Sequence, residues 1–139
     1  MPLSLMEYFN QQPRLGVLGT ADKAGKPNTA YFGSPRMVDE KTVTMGLGHN
    51  RTLTNLQENP QAVYMIMQPG ASVTEWKGLR IYLQMTACEM EGKKLDYMRS
   101  KIAEAAGEST AKMIQAAVTF EVKEVRPLAD FGQGWEASL

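Results

Sequence analysis

The chain has 139 residues, with 15 basic and 15 acidic side chains and one cysteine. That length suits a single core and hardly two, and the evenly mixed, zero net charge offers no broad footprint for nucleic acid or an anionic membrane. A lone cysteine excludes an internal disulfide and any cysteine-cluster metal site.

Met1 is followed by Pro2 rather than by a basic segment and an apolar signal core, and no run approaches the roughly 20 apolar residues of a membrane span. The expectation is one domain, residues 1–139, soluble and cytoplasmic, with no nucleic-acid or membrane partner.

In chain order, "SLMEYFNQQ" has helical spacing, with Leu5, Met6 and Phe9 on one side and Pro13 beyond its end. "RLGVLGTAD" reads as a strand, "KAGKP" as the turn that reverses it, and "PNTAYFGSPRMV" as a second strand. Pro35 argues against regular pairing at the end of that strand, since proline lacks an amide donor. "DEK" is a tight turn before the strand "TVTMGLG", whose apolar face carries Val43, Met45 and Leu47; these three strands are expected to form a meander.

A helix with Leu53 and Leu56 on one side then runs to Asn59 and Pro60. "AVYMIMQP" is apolar on both faces and reads as a buried strand. "LRIYLQMTACEME" alternates cleanly, with Leu79, Ile81, Leu83, Met85 and Ala87 facing one way and Arg80, Tyr82, Gln84 and Thr86 the other. "KKLDYMRSKIAEAAG" is a helix that Gly107 ends, "STAKMIQ" a short second helix, and "AVTFEVKEV" the last strand. The fold class is mainly β with short helices: six strands in a closed, mostly antiparallel barrel, because only one connection is long enough for a sizeable crossover helix.

The segment most suited to chemistry is "GLGHNRT", Gly46 to Thr52, where a strand passes into a helix. Asn50 is a favoured N-cap, so the free N–H groups after it, with the positive end of the helix dipole, suit an anion. Arg51 adds a fork of charged donors and Thr52 a hydroxyl, while Gly46 and Gly48 leave the strand open to a flat ligand. Capping and a solvated arginine account for the same residues without a ligand. His49 is the only histidine, and without a second histidine or a carboxylate cluster beside it a metal site lacks ligands. No serine carries a nucleophile signature. The ten methionines read as core filler and Cys88 as an unreactive thiol, while Trp76 and Trp135 lie in loop-like segments where a large aromatic covers an interface or a ligand.

From Arg14 to Met67, "RLGVLGTADKAGKPNTAYFGSPRMVDEKTVTMGLGHNRTLTNLQENPQAVYMIM" resembles the FMN-binding split-barrel proteins, the superfamily of pyridoxamine 5'-phosphate oxidase and the small bacterial FMN-binding proteins. The resemblance implies a split β-barrel that binds FMN. It assigns the flavin contact to the second strand, Asn28, Thr29, Ala30, Tyr31, Phe32, Gly33 and Ser34, and to Met45, Gly46, Leu47 and Gly48. It gives the phosphate to Arg51 and Thr52, beside His49 and Asn50.

It also implies a homodimer with the flavins at the interface, for which Trp76 and the polar face with Arg80, Tyr82 and Gln84 are candidate contacts. The ending "DFGQGWEASL" lacks the arginines that hold pyridoxamine phosphate in the oxidases proper, so pyridoxamine oxidation is not expected. What remains open is an FMN-dependent oxidoreductase for a small molecule, an FMN carrier serving a redox partner protein, or a relative that binds haem, with His49 as axial ligand, or a deazaflavin.

Overall fold

The structure, a computed structural model, describes residues 4–129, so Trp135 and the C-terminal ending lie outside the described residues. Helix α1 (Leu5–Phe9), capped by Ser4, leads into β1 (Leu15–Ala21) and β2 (Pro27–Tyr31). The turn between these strands closes because the Asp22 carboxylate accepts from the amides of Ala24 at 2.9 Å and Lys26 at 2.8 Å, and Gly25 takes a left-handed φ of +85°. A second hairpin joins β3 (Arg36–Asp39) to β4 (Thr42–Leu47), its turn held by Asp39 accepting from Lys41 N–H. Helix α2 (Arg51–Glu58), β5 (Gln61–Gln68), a 3-10 turn (Val73–Glu75) and the long β6 (Lys77–Glu89) follow. Helices α3 (Lys93–Ala106) and α4 (Glu108–Lys112) precede β7 (Ala116–Pro127).

All pairings are antiparallel, in the order β2-β1-β5-β6-β7-β4-β3. The two edge strands, β2 and β3, are neighbours in sequence, separated only by residues 32–35. Flat, a seven-stranded sheet would hold its edges about 29 Å apart at the usual strand spacing. Five Cα steps from Tyr31 to Arg36 span at most about 18 Å. The sheet must therefore curl until its edges approach, and the result is a split barrel.

Four expectations change in detail. The sheet has seven strands, not six, because the expected second strand is interrupted: pairing stops after Tyr31 and a new strand starts at Arg36, just past Pro35. The first strands form no meander: β4 pairs with β7 and β3, and the chain crosses the split instead of pairing β2 with its successor. The barrel is not closed by hydrogen bonds, since β2 and β3 do not pair. In β6 a register shift between Met85 and Ala87 reverses the alternation, so Cys88, not Ala87, packs against the core.

The barrel interior holds Leu18, Tyr64, Ile66, Ile81, Leu83, Val118 and Phe120, and α1 and α2 add Phe9, Leu53 and Leu56 to it. Each such side chain contributes roughly 1.5–3 kcal/mol by leaving water. Gly78, at φ +155°, admits no side chain: a Cβ there would stand 1.9 Å from the Ile66 carbonyl oxygen.

Candidate functional site

The strand-to-helix junction is built as its residues require. Asn50 caps α2, its side chain accepting from Leu53 N–H at 2.9 Å, and Thr54 N–H bonds the Asn50 carbonyl. The amides of Arg51 and Thr52 then have no acceptor within the helix. The Arg51 side chain is exposed and makes no hydrogen bond or ion pair among the described residues, whereas Thr52 is buried. Behind it Asn55, also buried, donates to the Thr20 hydroxyl at 3.1 Å and ties α2 to β1.

In front of the junction lies a cleft of about 800 Å³. One wall is the link between the barrel edges, Phe32 to Ser34, and Gly48, His49 and Asn50 form a second. Ile102, Ala105, Met113 and Ile114 from the α3–α4 hairpin supply an apolar third. A neighbouring cleft of about 630 Å³ shares Ser34, Gly46 and Ile102 with it and runs between β3–β4 and α3. Its lining includes Arg36, Lys94 and Lys101 with Val38, Met45, Tyr97 and Met98. Neither cleft is lined by a carboxylate, but Lys94 and Lys101 pair with Glu89 at 3.3 Å and Glu104 at 3.7 Å beyond the lining, which leaves Arg36 as the basic side chain of the second cleft without an ion pair among the described residues.

The structure thus gathers Phe32, Gly33, Ser34, Gly46, Gly48, His49 and Asn50 around one cavity, with Met45 in the adjoining one. Leu47 is buried in the core. Arg51 and Thr52 open the helix just after this wall without lining it. Asn28 to Tyr31 lie on β2 and Trp76 at the end of the 3-10 turn, and none of these lines either cleft. Gly46 and Gly48, which line the cleft, also serve packing. A Cβ on Gly46 would meet Met98 and Ile114 side-chain atoms at 2.9 Å, and one on Gly48 would stand 2.8 Å from the Met113 carbonyl oxygen. The missing side chains let the helical hairpin pack on β4.

A family model described as pyridoxamine 5'-phosphate oxidase matches residues 5–129. The chain belongs to this family. No curated protein sequence matches it. Among solved structures it is similar to an FMN-binding protein from Syntrophomonas wolfei subsp. wolfei, at TM-score 0.76 and 19% identity over 91% of this chain and 84% of that one. It is also similar to HutZ, the haem storage protein of Vibrio cholerae, at TM-score 0.64 and 20% identity over 86% of this chain and 89% of that one. An F420 reductase superimposes at TM-score 0.64 and 12% identity, covering 89% of this chain and 98% of that one. At these identities the likeness is one of fold.

Within this oxidase-family chain, sequence reasoning missed the basic residues of the second cleft. Tyr97 and Lys101 are one helical turn apart beside the apolar Met98 and Ile102, a pattern that marks a two-sided helix without saying what either side meets. The expected polar face of β6 is mixed in the assembled sheet. Pairing registers Tyr31 with Val17, Val17 with Met65, and Met65 with Arg80, so an apolar band runs across the outside of the barrel. Tyr31 is 63% and Leu15 43% exposed there. Cys88 is half-buried, and burial pushes its thiol above the ordinary range, consistent with an unreactive side chain. No described helix is long and apolar enough to cross a membrane, and the described residues contain no metal-binding group of histidine, cysteine and carboxylates.

Proposed function

We propose that this chain binds FMN at the α2 junction and the cleft in front of it, and acts as an oxidoreductase on a small organic molecule. One observation carries the reading: an unpaired arginine and two free amides open α2 beside an apolar cleft of about 800 Å³ that has no carboxylate in its lining. Arg51 and the helix N-terminus would hold the phosphate, and Phe32 to Ser34, Gly48 and the apolar face of α3 would receive the ring. The bound flavin would supply hydride or electron transfer. The chain's own part is to orient the ring, exclude water with Ile102, Met113 and Ile114, and offer Ser34 and His49 as hydrogen-bonding groups.

We place a second copy against the outer band of Tyr31, Val17 and Met65, next to the β2 residues that the flavin reading also invokes. Purified protein is expected to be yellow and to release FMN on denaturation. Colourless protein that takes up no FMN at micromolar concentration overturns the reading.

A second reading has its own observation. His49 is exposed, lines the same apolar cleft and is the only histidine, which suits one axial ligand to haem. The absorbance spectrum separates the two, because haem gives an intense Soret band and flavin does not.

A further inference from the structure

The link between the barrel edges is held by an unusual set of donors. The Phe32 N–H extends the β1–β2 pairing by donating to the Gly16 carbonyl at 3.0 Å, but the backbone beyond it joins no ladder, because Pro35 lacks an amide and neither edge strand has a partner across the split. Side chains take the place of that ladder. The Tyr64 hydroxyl donates to the Phe32 carbonyl at 2.6 Å, and the Arg14 guanidinium donates to the carbonyls of Gly33 at 2.7 Å and Pro35 at 2.6 Å. Arg14 also donates to the Phe9 carbonyl at the end of α1, and Gln12 adds a bond to Gly33 at 3.1 Å.

Arg14 is 7% exposed, faces the rings of Phe9 and Tyr64 at 5.0 and 5.2 Å, and its Nε has no acceptor among the described residues. No carboxylate accompanies it in any of these contacts. A buried cation held by carbonyls and aromatic rings, with no carboxylate partner, is costly if it merely fills space.

We propose that Tyr64 and Arg14 are positioning residues: by drawing the carbonyls of Phe32, Gly33 and Pro35 toward the interior they fix the link in the shape that turns Ser34 toward both clefts. Ser34 is exposed and is the one link residue that lines both cavities. The link in turn forms one wall of the FMN cleft, so the consequence for cofactor binding rests on the proposed FMN function, while the shape of the link does not.

The test uses Tyr64→Phe, which removes the hydroxyl and keeps the buried ring, with Arg14→Lys and Arg14→Met as the conservative and disruptive pair. Hydrogen exchange of the unliganded protein reads the link directly. In Tyr64→Phe the amides of Phe32, which donates to the Gly16 carbonyl, and of Met37, which donates to the Asn10 side chain, are expected to exchange about tenfold faster while those in the middle of β1 are unchanged. In protein carrying FMN the same variant is expected to bind roughly three- to tenfold more weakly and to change the visible circular dichroism of the flavin. Arg14→Lys is expected to recover most of the affinity lost in Arg14→Met.

Unchanged exchange in the link overturns the proposal whatever is bound. Faster exchange with unaltered FMN affinity and dichroism also overturns it, leaving Tyr64 a purely structural residue. If wild type takes up no FMN, the proposed cofactor falls, and the exchange measurement still decides whether these residues set the link.

Discussion

Tyr64 and Gly16 share one space inside the barrel: a Cβ built on Gly16 would stand 1.9 Å from the Tyr64 hydroxyl oxygen and 2.3 Å from its ring carbon. The β1 glycine is therefore what admits the ring whose hydroxyl reaches across to Phe32. Gly16→Ala is expected to displace Tyr64 and to cost on the order of 2–3 kcal/mol, comparable with other overpacked cores. In a double-mutant cycle, Gly16→Ala with Tyr64→Leu should be less destabilising than the sum of the single changes, read by urea denaturation. Strict additivity would mean that the two residues do not meet.

Arg51 separates a ligand-binding reading of the junction from plain helix capping. Its alanine variant is expected to keep the stability of the parent within about 0.5 kcal/mol, since the side chain has no partner among the described residues. If it grips the phosphate, FMN binding weakens by about 1.5–3 kcal/mol, or roughly ten- to a hundredfold, while riboflavin binding hardly changes. Titration by flavin fluorescence compares the two ligands. Arg36→Ala is the informative companion, because a larger loss there would move the phosphate to the second cleft.

The outer band offers a test of assembly. Met65→Asp places a charge in the middle of the row that joins Tyr31, Val17 and Arg80, where a partner subunit would have to desolvate it. The expected outcome is a dimer in wild type and a monomer in the variant by sedimentation at micromolar concentration, with the far-ultraviolet spectrum preserved. A wild-type monomer that still binds FMN would remove this face as an interface.

Alkaline pH should weaken the fold through its buried acids. Burial raises the Tyr8 phenol from 10.0 to about 12, and raises the Tyr64 phenol and the Cys88 thiol. Each folded pKa lies above its unfolded value, so the unfolded chain loses these protons first. The stabilisation is complete below the unfolded values and is lost as pH rises toward the folded ones. For Tyr8 the window runs from pH 10 to about 12. Between pH 9 and pH 11 a loss of about 1 kcal/mol from this residue is expected in urea denaturation, reduced in Tyr8→Phe.

Two glycines should differ in how much an added side chain costs. Gly78 and Gly25 both have positive φ, yet a Cβ on Gly78 meets the Ile66 carbonyl whereas one on Gly25 meets nothing. Gly25→Ala should cost about 1 kcal/mol from conformation alone, and Gly78→Ala about 3 kcal/mol or more, checked by thermal denaturation.

Local chemistry made much of this protein legible in its sequence. Alternating apolar residues marked the strands, Asn50 and Gly107 marked a helix start and stop, and the run from Lys23 to Pro27 marked a turn, because each depends on neighbours a few residues away. The junction at Asn50 and Arg51 was visible for the same reason. What the sequence left undecided was which strands pair: the expected meander ignores that β4 finds β7, some 70 residues later, and pairing over that distance has no local signature. The basic lining of the second cleft, the packing role of Gly46 and Gly48, and the donors from Arg14 and Tyr64 to the link exist only once β2 and β3 have been brought to either side of the split. Pro35 could signal that a ladder stops, but only the curled sheet determines that side chains take its place, since carbonyls cut off from a neighbouring strand and from water must still be bonded.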